Sequence, residues 1–224
     1  MLIDKLFKKR KGYNIEDMEV YVHKKRKTSF KLYEGQLEGF TKAEEKAISI
    51  RGVYNGKMGY SYTERLDEDS LEELLKNLVQ HAKNNDSDYV DQFSSKGNYY
   101  NEKDNNKNRL NNYSDEEKID FLKEVEEAAK SFDEQVKAVN RCNYTEEQNS
   151  VFIKNTNGLE LEDSYISANI SLAVVTEKNN NMQTGYSYLI IDDLLNKYKE
   201  SIIQEAVSDG LNLLGATPIK SNNY

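Results

Sequence analysis

The chain has 224 residues, of which 37% are hydrophobic and 31% charged, and its formal net charge at pH 7 is −8. Its single cysteine excludes an internal disulfide and any site built from several cysteines. No apolar run approaches the roughly 18 residues that a membrane span needs. At the N-terminus basic residues follow the apolar ones, the reverse of a signal peptide. We therefore expect a cytoplasmic protein without membrane contact.

The N-terminal segment is basic although the chain as a whole is acidic. Residues 1–31 contain ten Lys or Arg and four Asp or Glu, a net of +6, which leaves −14 for the remainder. Such a segment could bind phosphate groups. The apolar residues Leu2, Ile3, Leu6 and Phe7 favour instead a short amphipathic helix that ends at Gly12.

Alternating apolar and polar residues predict an antiparallel meander after this helix. Its predicted strands are 18–23, 28–33, 37–41, 46–54 and 57–62. Glu34-Gly35 marks one turn between them. Asn55-Gly56 predicts a type I′ hairpin, because both central residues of that turn need positive φ, which Asn and Gly tolerate best.

A helix is predicted to follow the meander. Asp67 is its predicted N-cap, with Leu66 and Leu71 forming a hydrophobic staple. Apolar residues then recur at helical spacing along one face: Leu71, Leu74, Leu75, Leu78, Val79 and Ala82. This stripe predicts a helix over 67–82 that packs on the meander, with Leu75 and Leu78 fully buried.

Residues 84–113 differ in character, because Asn, Asp, Lys and Ser dominate and helical or strand periodicity is weak. We expect a polar excursion over the surface and the most mobile internal segment of the chain.

A second helix is predicted to begin at Ser114, whose spacing from Glu117 is that of a capping box. Its predicted apolar residues are Ile119, Leu122, Val125, Ala129 and Phe132.

A second meander and a final helix complete the predicted elements. Strands are predicted over 136–144, 150–155, 159–177 and 182–189, with turns at Asn157-Gly158 and 179–181. The last helix is predicted over 192–214, with Gly215 as its C-cap and Pro218 preventing its continuation.

The two halves repeat one order of elements, and the last strand of each contains Gly-Tyr-Ser-Tyr, at 59–62 and at 185–188. This repeat predicts an α+β fold of two pseudo-repeated halves, each with an antiparallel sheet packed against helices. The predicted divisions are a first unit at 1–83, the excursion at 84–113, a second unit at 114–215 and a linker at 216–224.

The repeated tyrosines occupy alternate strand positions, so each pair shares one face of its strand. They either cover a sheet surface or form a surface for substrate or assembly. The residues concerned are Tyr60, Tyr62, Tyr186 and Tyr188.

The residue pattern contains no recognisable catalytic or metal-binding set. His81 has no second ligand four residues along its helix, and His23 ends a strand beside two lysines. Cys142 is predicted to be a half-buried strand thiol. Glu160 and Glu162 would point to one side of a strand and could bind a hard cation or act as an acid and base pair. A solvated strand face is the favoured interpretation of that pair.

The stretch from Arg51 to Ala82, RGVYNGKMGYSYTERLDEDSLEELLKNLVQHA, resembles the N-terminal signature of the TldD/PmbA family, often labelled modulators of DNA gyrase. Residues 149–175, with the N-x-x-G turn at 155–158, resemble the next block of that family. The ending GLNLLGATPIKSNNY is similar to the helix exit and linker before the family's C-terminal domain. Its LGATPIKS segment favours the PmbA-like side.

The resemblance implies a cytoplasmic zinc metallopeptidase that acts on peptides or unfolded segments and works as a homo- or heterodimer of TldD/PmbA-like subunits. It places the zinc motif in the C-terminal domain, so it implies no cofactor, metal ligand or catalytic residue within this chain. We expect a fragment or truncated product without activity of its own.

Two functions remain after these observations. The favoured one is a non-catalytic N-terminal region that encloses a peptide substrate and contacts a partner subunit. The alternative is a nucleic-acid- or gyrase-associated binding protein. Tyrosines and lysines occur together over 99–107, but the same window is rich in Asp, Glu and Asn, which argues against nucleic acid. A stand-alone hydrolase is disfavoured by the missing catalytic set.

Overall fold

The computed structural model describes residues 2–97 and 109–217. The first part contains α1 (Leu2–Lys9), a 3-10 turn (Arg10–Tyr13), β1 (Met18–Tyr33), β2 (Gln36–Tyr54), β3 (Lys57–Thr63) and α2 (Glu68–Lys83). The second contains a 3-10 turn (Leu110–Asn112), α3 (Asp115–Ser131), β4 (Val136–Asn155), β5 (Glu160–Lys178), β6 (Asn181–Ile191) and α4 (Asn196–Leu214). The predicted α+β class is confirmed.

The six strands form one sheet in the order β3-β2-β1-β4-β5-β6. The hairpins β2–β3 and β5–β6 are antiparallel. At the centre, Thr156 N–H donates to Met18 O, and Ser29 lies beside Thr145, so β1 and β4 also run in opposite directions. From this centre, β1, β2 and β3 form one meander, and β4, β5 and β6 form another in the opposite direction. This arrangement is the predicted pseudo-repeat.

The local signals that define turns and helix starts behave as predicted. Asn55 and Gly56 both have positive φ, at 49° and 70°. The Asp67 carboxylate accepts a hydrogen bond from Ser70 N–H at the start of α2. Ser114 and Glu117 form both bonds of the capping box on α3. These residues fix where the chain reverses and where each helix begins.

The strands are longer than their predicted segments. The predicted gaps at 24–27 and 42–45 are continuous strand, within β1 and β2. The basic residues of the first gap interrupt the apolar pattern without interrupting the backbone, because their side chains lie toward solvent. Arg26 Nε donates to Glu44 across the two strands at 3.1 Å, so charge complementarity replaces apolar packing there.

Two predicted details of the helices are wrong. The last helix begins at Asn196 rather than near Asp192. Asp193 fixes the segment that precedes this helix. It is buried and accepts hydrogen bonds from Tyr113 Oη at 2.6 Å and from Leu194 N–H at 2.8 Å. Phe132 is not a core residue of α3, because the helix ends at Ser131 and the ring is 52% exposed.

Two compact units can be distinguished within the described residues. The first takes its described residues from 2–26, 44–97 and 148–165. Its core lies between α1, α2 and the strands. Leu75 and Leu78 are both fully buried in this core, as predicted.

The second unit takes its described residues from 27–43, 109–147 and 166–217. Its core joins α3 and α4 to β1, β4, β5 and β6. Cys142 lies inside it, fully rather than half buried, with its Sγ 3.5 Å from Leu122 O.

The predicted excursion at 84–113 falls partly outside the described residues, as does the predicted linker at 216–224. Residues 85–97 have no regular secondary structure, yet Phe93 is buried. The mobility of the excursion and the predicted domain limits stay predictions. Among the described residues, no helix is both long and apolar enough to span a membrane.

Candidate functional site

The Gly-Tyr-Ser-Tyr segment of β3 has one buried and one exposed face. Gly59 and Ser61 point inward and are buried. Tyr60 and Tyr62 point outward, with 49% and 66% of their surfaces exposed and their ring centroids 6.5 Å apart. This alternation is the period-2 pattern of a half-buried strand, and it presents two aromatic rings as a continuous surface.

The buried glycine of this motif has a steric purpose. A Cβ added to Gly59 would lie 2.1 Å from the carbonyl oxygen of Leu78. Only glycine therefore lets α2 approach β3 this closely. In the first unit the glycine positions the helix, and the tyrosines remain free for other contacts.

The same arrangement recurs on β6 in the second unit. A Cβ on Gly185 would lie 2.0 Å from Ala206 O of α4, and Ser187 Oγ donates to Glu205 at 2.8 Å. Tyr186 and Tyr188 are 46% and 50% exposed on the opposite face. The structure therefore brings the predicted tyrosines together in two pairs, one on each end strand of the sheet order.

The exposed face of β6 is an apolar stripe without a charged residue. Met182, Thr184, Tyr186, Tyr188 and Ile190 lie on it at alternate positions; all but Thr184 are apolar or aromatic, and Ile190 is 73% exposed. An aromatic side chain can bury 150–250 Å², so the two half-exposed tyrosines alone offer about 200 Å². Met182 and Ile190 extend this surface toward the two ends of the strand.

Beside Tyr60, the exposed face of the first unit carries a charged cluster. Arg51 pairs with Tyr60 in the β2–β3 register. Its guanidinium bonds to Glu19 at 2.7 Å and to Asp91 at 3.0 Å, and lies 5.2 Å from the Phe93 ring centroid. These contacts hold residues 91–93 against the sheet.

Asn155 completes this cluster from β4. Its buried side-chain amide donates to Ser94 O at 2.8 Å and to Glu19 at 3.2 Å. Its carbonyl accepts from Asn157 N–H and Leu159 N–H. This cluster could not be predicted from the sequence, because its members are far apart along the chain. The only local signal is a lone Arg between the apolar residues Ile50 and Val53.

A second polar cluster, in the core of the second unit, was also missed. Lys118 Nζ lies 2.7 Å from Glu146, which also accepts from Tyr144 Oη. Burial, together with that carboxylate, raises the pKa of Tyr144 above its ordinary value, so the phenol keeps its proton. Lys118 lies four residues before Leu122 on the buried face of α3, a spacing that could have revealed it. The cluster is a satisfied structural network.

The other chemical candidates do not form a site. His23 lies 3.3 Å from Asn149, and His81 is exposed on α2. Burial raises the pKa of the Cys142 thiol to about 12, which disfavours the reactive thiolate. Glu160 is exposed and pairs with Lys154 at 2.9 Å. Glu162 is exposed too, in agreement with a solvated strand face.

Zinc in proteins is bound by converging His, Cys, Asp or Glu side chains. Within residues 2–97 and 109–217, no three such side chains are close enough to hold a metal ion. The described side chains therefore do not form a zinc site. The resemblance places the zinc site of the family in the C-terminal domain.

Two stretches of the chain match sequence families. Residues 18–82 match the family described as PmbA/TldA metallopeptidase domain 1. Residues 108–214 match the PmbA/TldA metallopeptidase central domain. No curated protein sequence matches the chain.

Solved structures share this fold. A candidate modulator of a DNA gyrase from Thermotoga maritima has a TM-score of 0.84 at 23% identity, over 99% of this chain and 50% of that one. TldE from Thermococcus kodakarensis gives 0.76 at 16% identity, over 93% and 47%. A candidate modulator of DNA gyrase from Bacteroides thetaiotaomicron gives 0.74 at 20%, over 97% and 50%. The chain thus spans about half the length of these structures, and at such identities the likeness shows the fold alone.

Proposed function

The chain belongs to the PmbA/TldD metallopeptidase family, and from this premise we propose that it is a non-catalytic region that encloses a peptide substrate and contacts a partner subunit. The observation that supports this most directly is the pair of exposed tyrosine surfaces on β3 and β6. Both are surfaces for binding.

The two surfaces differ in chemistry, and we assign them different partners. The β3 surface combines Tyr60 and Tyr62 with the charged side chain of Arg51, a mixture suited to a polar, extended peptide. The exposed face of β6 has no charged residue of its own and is mostly apolar, as the centres of protein–protein interfaces are. We therefore assign Tyr186 and Tyr188 to assembly with a TldD/PmbA-like subunit.

Zinc enters this proposal only through the C-terminal domain of the family. The proposed zinc site of an active subunit lies in the family's C-terminal domain, where the metal would activate water for peptide hydrolysis. The described residues would contribute by holding the peptide. The PmbA-like assignment rests on residues 214–221, half of which lie outside the described residues, and it remains a proposal.

The alternative function is a nucleic-acid- or gyrase-associated binding protein. It is supported by the names of two solved relatives, which are described as candidate modulators of DNA gyrase. The chain's net charge of −8 opposes a large nucleic-acid interface, because such interfaces gain most of their affinity from Lys and Arg.

The test uses the purified chain and a fluorescein-labelled unfolded polypeptide, reduced and carboxymethylated lactalbumin. Fluorescence anisotropy should show binding, and replacing Tyr60 and Tyr62 with serine should weaken it at least about tenfold, because truncating an aromatic anchor commonly costs more than 1 kcal/mol. The matched double change at Tyr186 and Tyr188 should leave peptide binding intact. It should instead abolish association with a TldD/PmbA-like subunit in sedimentation velocity.

The polypeptide should remain uncleaved in the presence of zinc. Cleavage that a single substitution in this chain abolishes would overturn the non-catalytic assignment. Peptide binding that neither tyrosine pair affects would overturn the assignment of these surfaces. Binding of a DNA duplex with a steep salt dependence, in the absence of polypeptide binding, would favour the alternative function.

A further inference from the structure

The hairpin geometry determines which backbone groups of β3 face away from the sheet. Tyr54 and Lys57 flank a two-residue turn and therefore form a hydrogen-bonded pair, so bonding alternates along the strand. Gly59 and Ser61 direct their N–H and C=O groups toward β2. Those of Met58, Tyr60 and Tyr62 point to the open edge. In agreement, Met58 O accepts from the side chain of Asn85 at 2.9 Å.

The equivalent edge of β6 is closed by a side chain. Tyr186 N–H points outward and donates to the Asp209 carboxylate at 3.0 Å. Asp209 lies three residues after Ala206, the residue whose carbonyl faces Gly185. The Asp209 carboxylate on α4 thus binds the Tyr186 N–H group that an added strand would need as a hydrogen-bond donor.

On α2 the residue in the corresponding place is His81. It lies three residues after Leu78, whose carbonyl faces Gly59, and it is exposed. No hydrogen bond joins the Tyr60 or Tyr62 backbone to another described residue on this edge. The two halves therefore share the packing of helix on strand but differ at the one position that closes the edge.

We propose that the Tyr60–Tyr62 edge of β3 binds an extended peptide by strand addition, whereas Asp209 closes β6 to it. The two outward residues offer two N–H and two C=O groups, and main-chain bonds of this kind give affinity without demanding a particular sequence. The rings of Tyr60 and Tyr62 would pack on alternate side chains of the added strand. This inference rests on the proposed function and specifies how the peptide is held.

The charges at the two ends of the edge indicate which peptide fits. Beyond Thr63 lies a cavity of about 400 Å³ in which acidic side chains outnumber basic ones; it is lined by His23, Glu44, Glu45, Lys46, Ala47 and Glu64. Lys57 and Lys83 lie at the other end, Lys57 bonded to Asn85 O and Lys83 over the Tyr54 ring. A peptide antiparallel to β3 begins at the acidic end. The matching occupant therefore has a basic residue at its N-terminal side and an acidic residue at its C-terminal side.

The probe is the fluorescein-labelled heptapeptide KTVSVSE, titrated with the full chain in an anisotropy assay. His81→Asp would place a carboxylate where Asp209 stands on α4, and should weaken binding at least tenfold. His81→Ala leaves the edge open and should bind as the unchanged chain does. Methylating alternate backbone nitrogens of the peptide should abolish binding, and the charge-reversed peptide ETVSVSK should bind several-fold more weakly.

Each outcome separates this inference from the proposed function. Binding of KTVSVSE that resists both His81→Asp and N-methylation would overturn strand addition while leaving a peptide-binding role intact. Failure to bind both the heptapeptide and unfolded lactalbumin would overturn the peptide-binding role itself. A change in sedimentation of the free chain caused by His81→Asp would show that a second copy occupies the edge, and would overturn the peptide as its occupant.

Discussion

Replacing Gly59 with alanine tests the close contact between α2 and β3. The added Cβ would lie 2.1 Å from Leu78 O and 3.0 Å from the Ala82 Cβ. The first distance is about 1 Å short of any tolerable contact. Because the obstacle is helix backbone, it cannot rotate away as a side chain would, and α2 must shift as a whole.

The expected cost follows from two opposing terms. Overpacking a core commonly costs about 1–3 kcal/mol, and a backbone obstacle places this site at the upper end. Alanine also restricts the unfolded chain, which returns about 0.4–1 kcal/mol. The free energy of unfolding should therefore fall by about 2 kcal/mol. Gly185→Ala should cost at least as much, because its Cβ would lie 2.0 Å from Ala206 O.

Urea denaturation followed by circular dichroism measures this change. Gly12→Ala is the matched control, because a Cβ there meets no atom within 4 Å. It should be neutral or stabilise the chain by up to about 1 kcal/mol. If Gly59→Ala proves as mild as Gly12→Ala, the glycine does not admit the helix, and the steric account of the tetrapeptide is wrong.

Three further predictions concern the core, the thiol and the excursion. Leu78→Ala should lower the free energy of unfolding by about 2–5 kcal/mol in urea denaturation, because Leu78 is fully buried. Lys76→Ala, on the exposed side of α2, should change it by less than about 0.5 kcal/mol. Similar losses for the two variants would refute the burial of Leu78. Cys142 should resist a thiol reagent at pH 8 until the chain is unfolded, because burial raises its pKa to about 12; rapid labelling of the folded chain would contradict this. Limited proteolysis should cut first within 84–113, and Asn155→Ala should accelerate the cut by releasing Ser94 O; an unchanged rate would show that this anchor is dispensable.

Features decided by neighbouring residues could be predicted from the sequence. The Asn55-Gly56 turn follows from which residues tolerate positive φ. The start of α2 follows from Asp67 and the apolar stripe behind it. Such signals are local, since the residues that form the structure are adjacent or one helical turn apart.

Features decided by distant residues could not. Arg51 is partnered by Glu19 and Asp91, and Asn155 bonds to Ser94 and to Glu19. The last of these contacts joins residues 136 positions apart. No periodicity encodes such a pairing, because it depends on which strands become neighbours. The sequence therefore indicated the sheet and its helices without locating the charged cluster beside Tyr60.

The repeated tetrapeptide illustrates how one motif can contain two kinds of information. Its glycines are required by the fold, because each admits a helix to an end strand. Its tyrosines point away from the core and are not required by that packing. The residue at the corresponding place on each helix, His81 or Asp209, lies outside the motif and differs between the halves. A duplicated packing unit can thus keep its architecture while one helix position decides whether the strand beside it accepts a partner. Exchanging these two residues should close β3 to the heptapeptide and free the outward N–H of Tyr186 on β6. The charges that select this peptide would stay at β3, so the exchange would separate the backbone contacts of recognition from the shared architecture within a single chain.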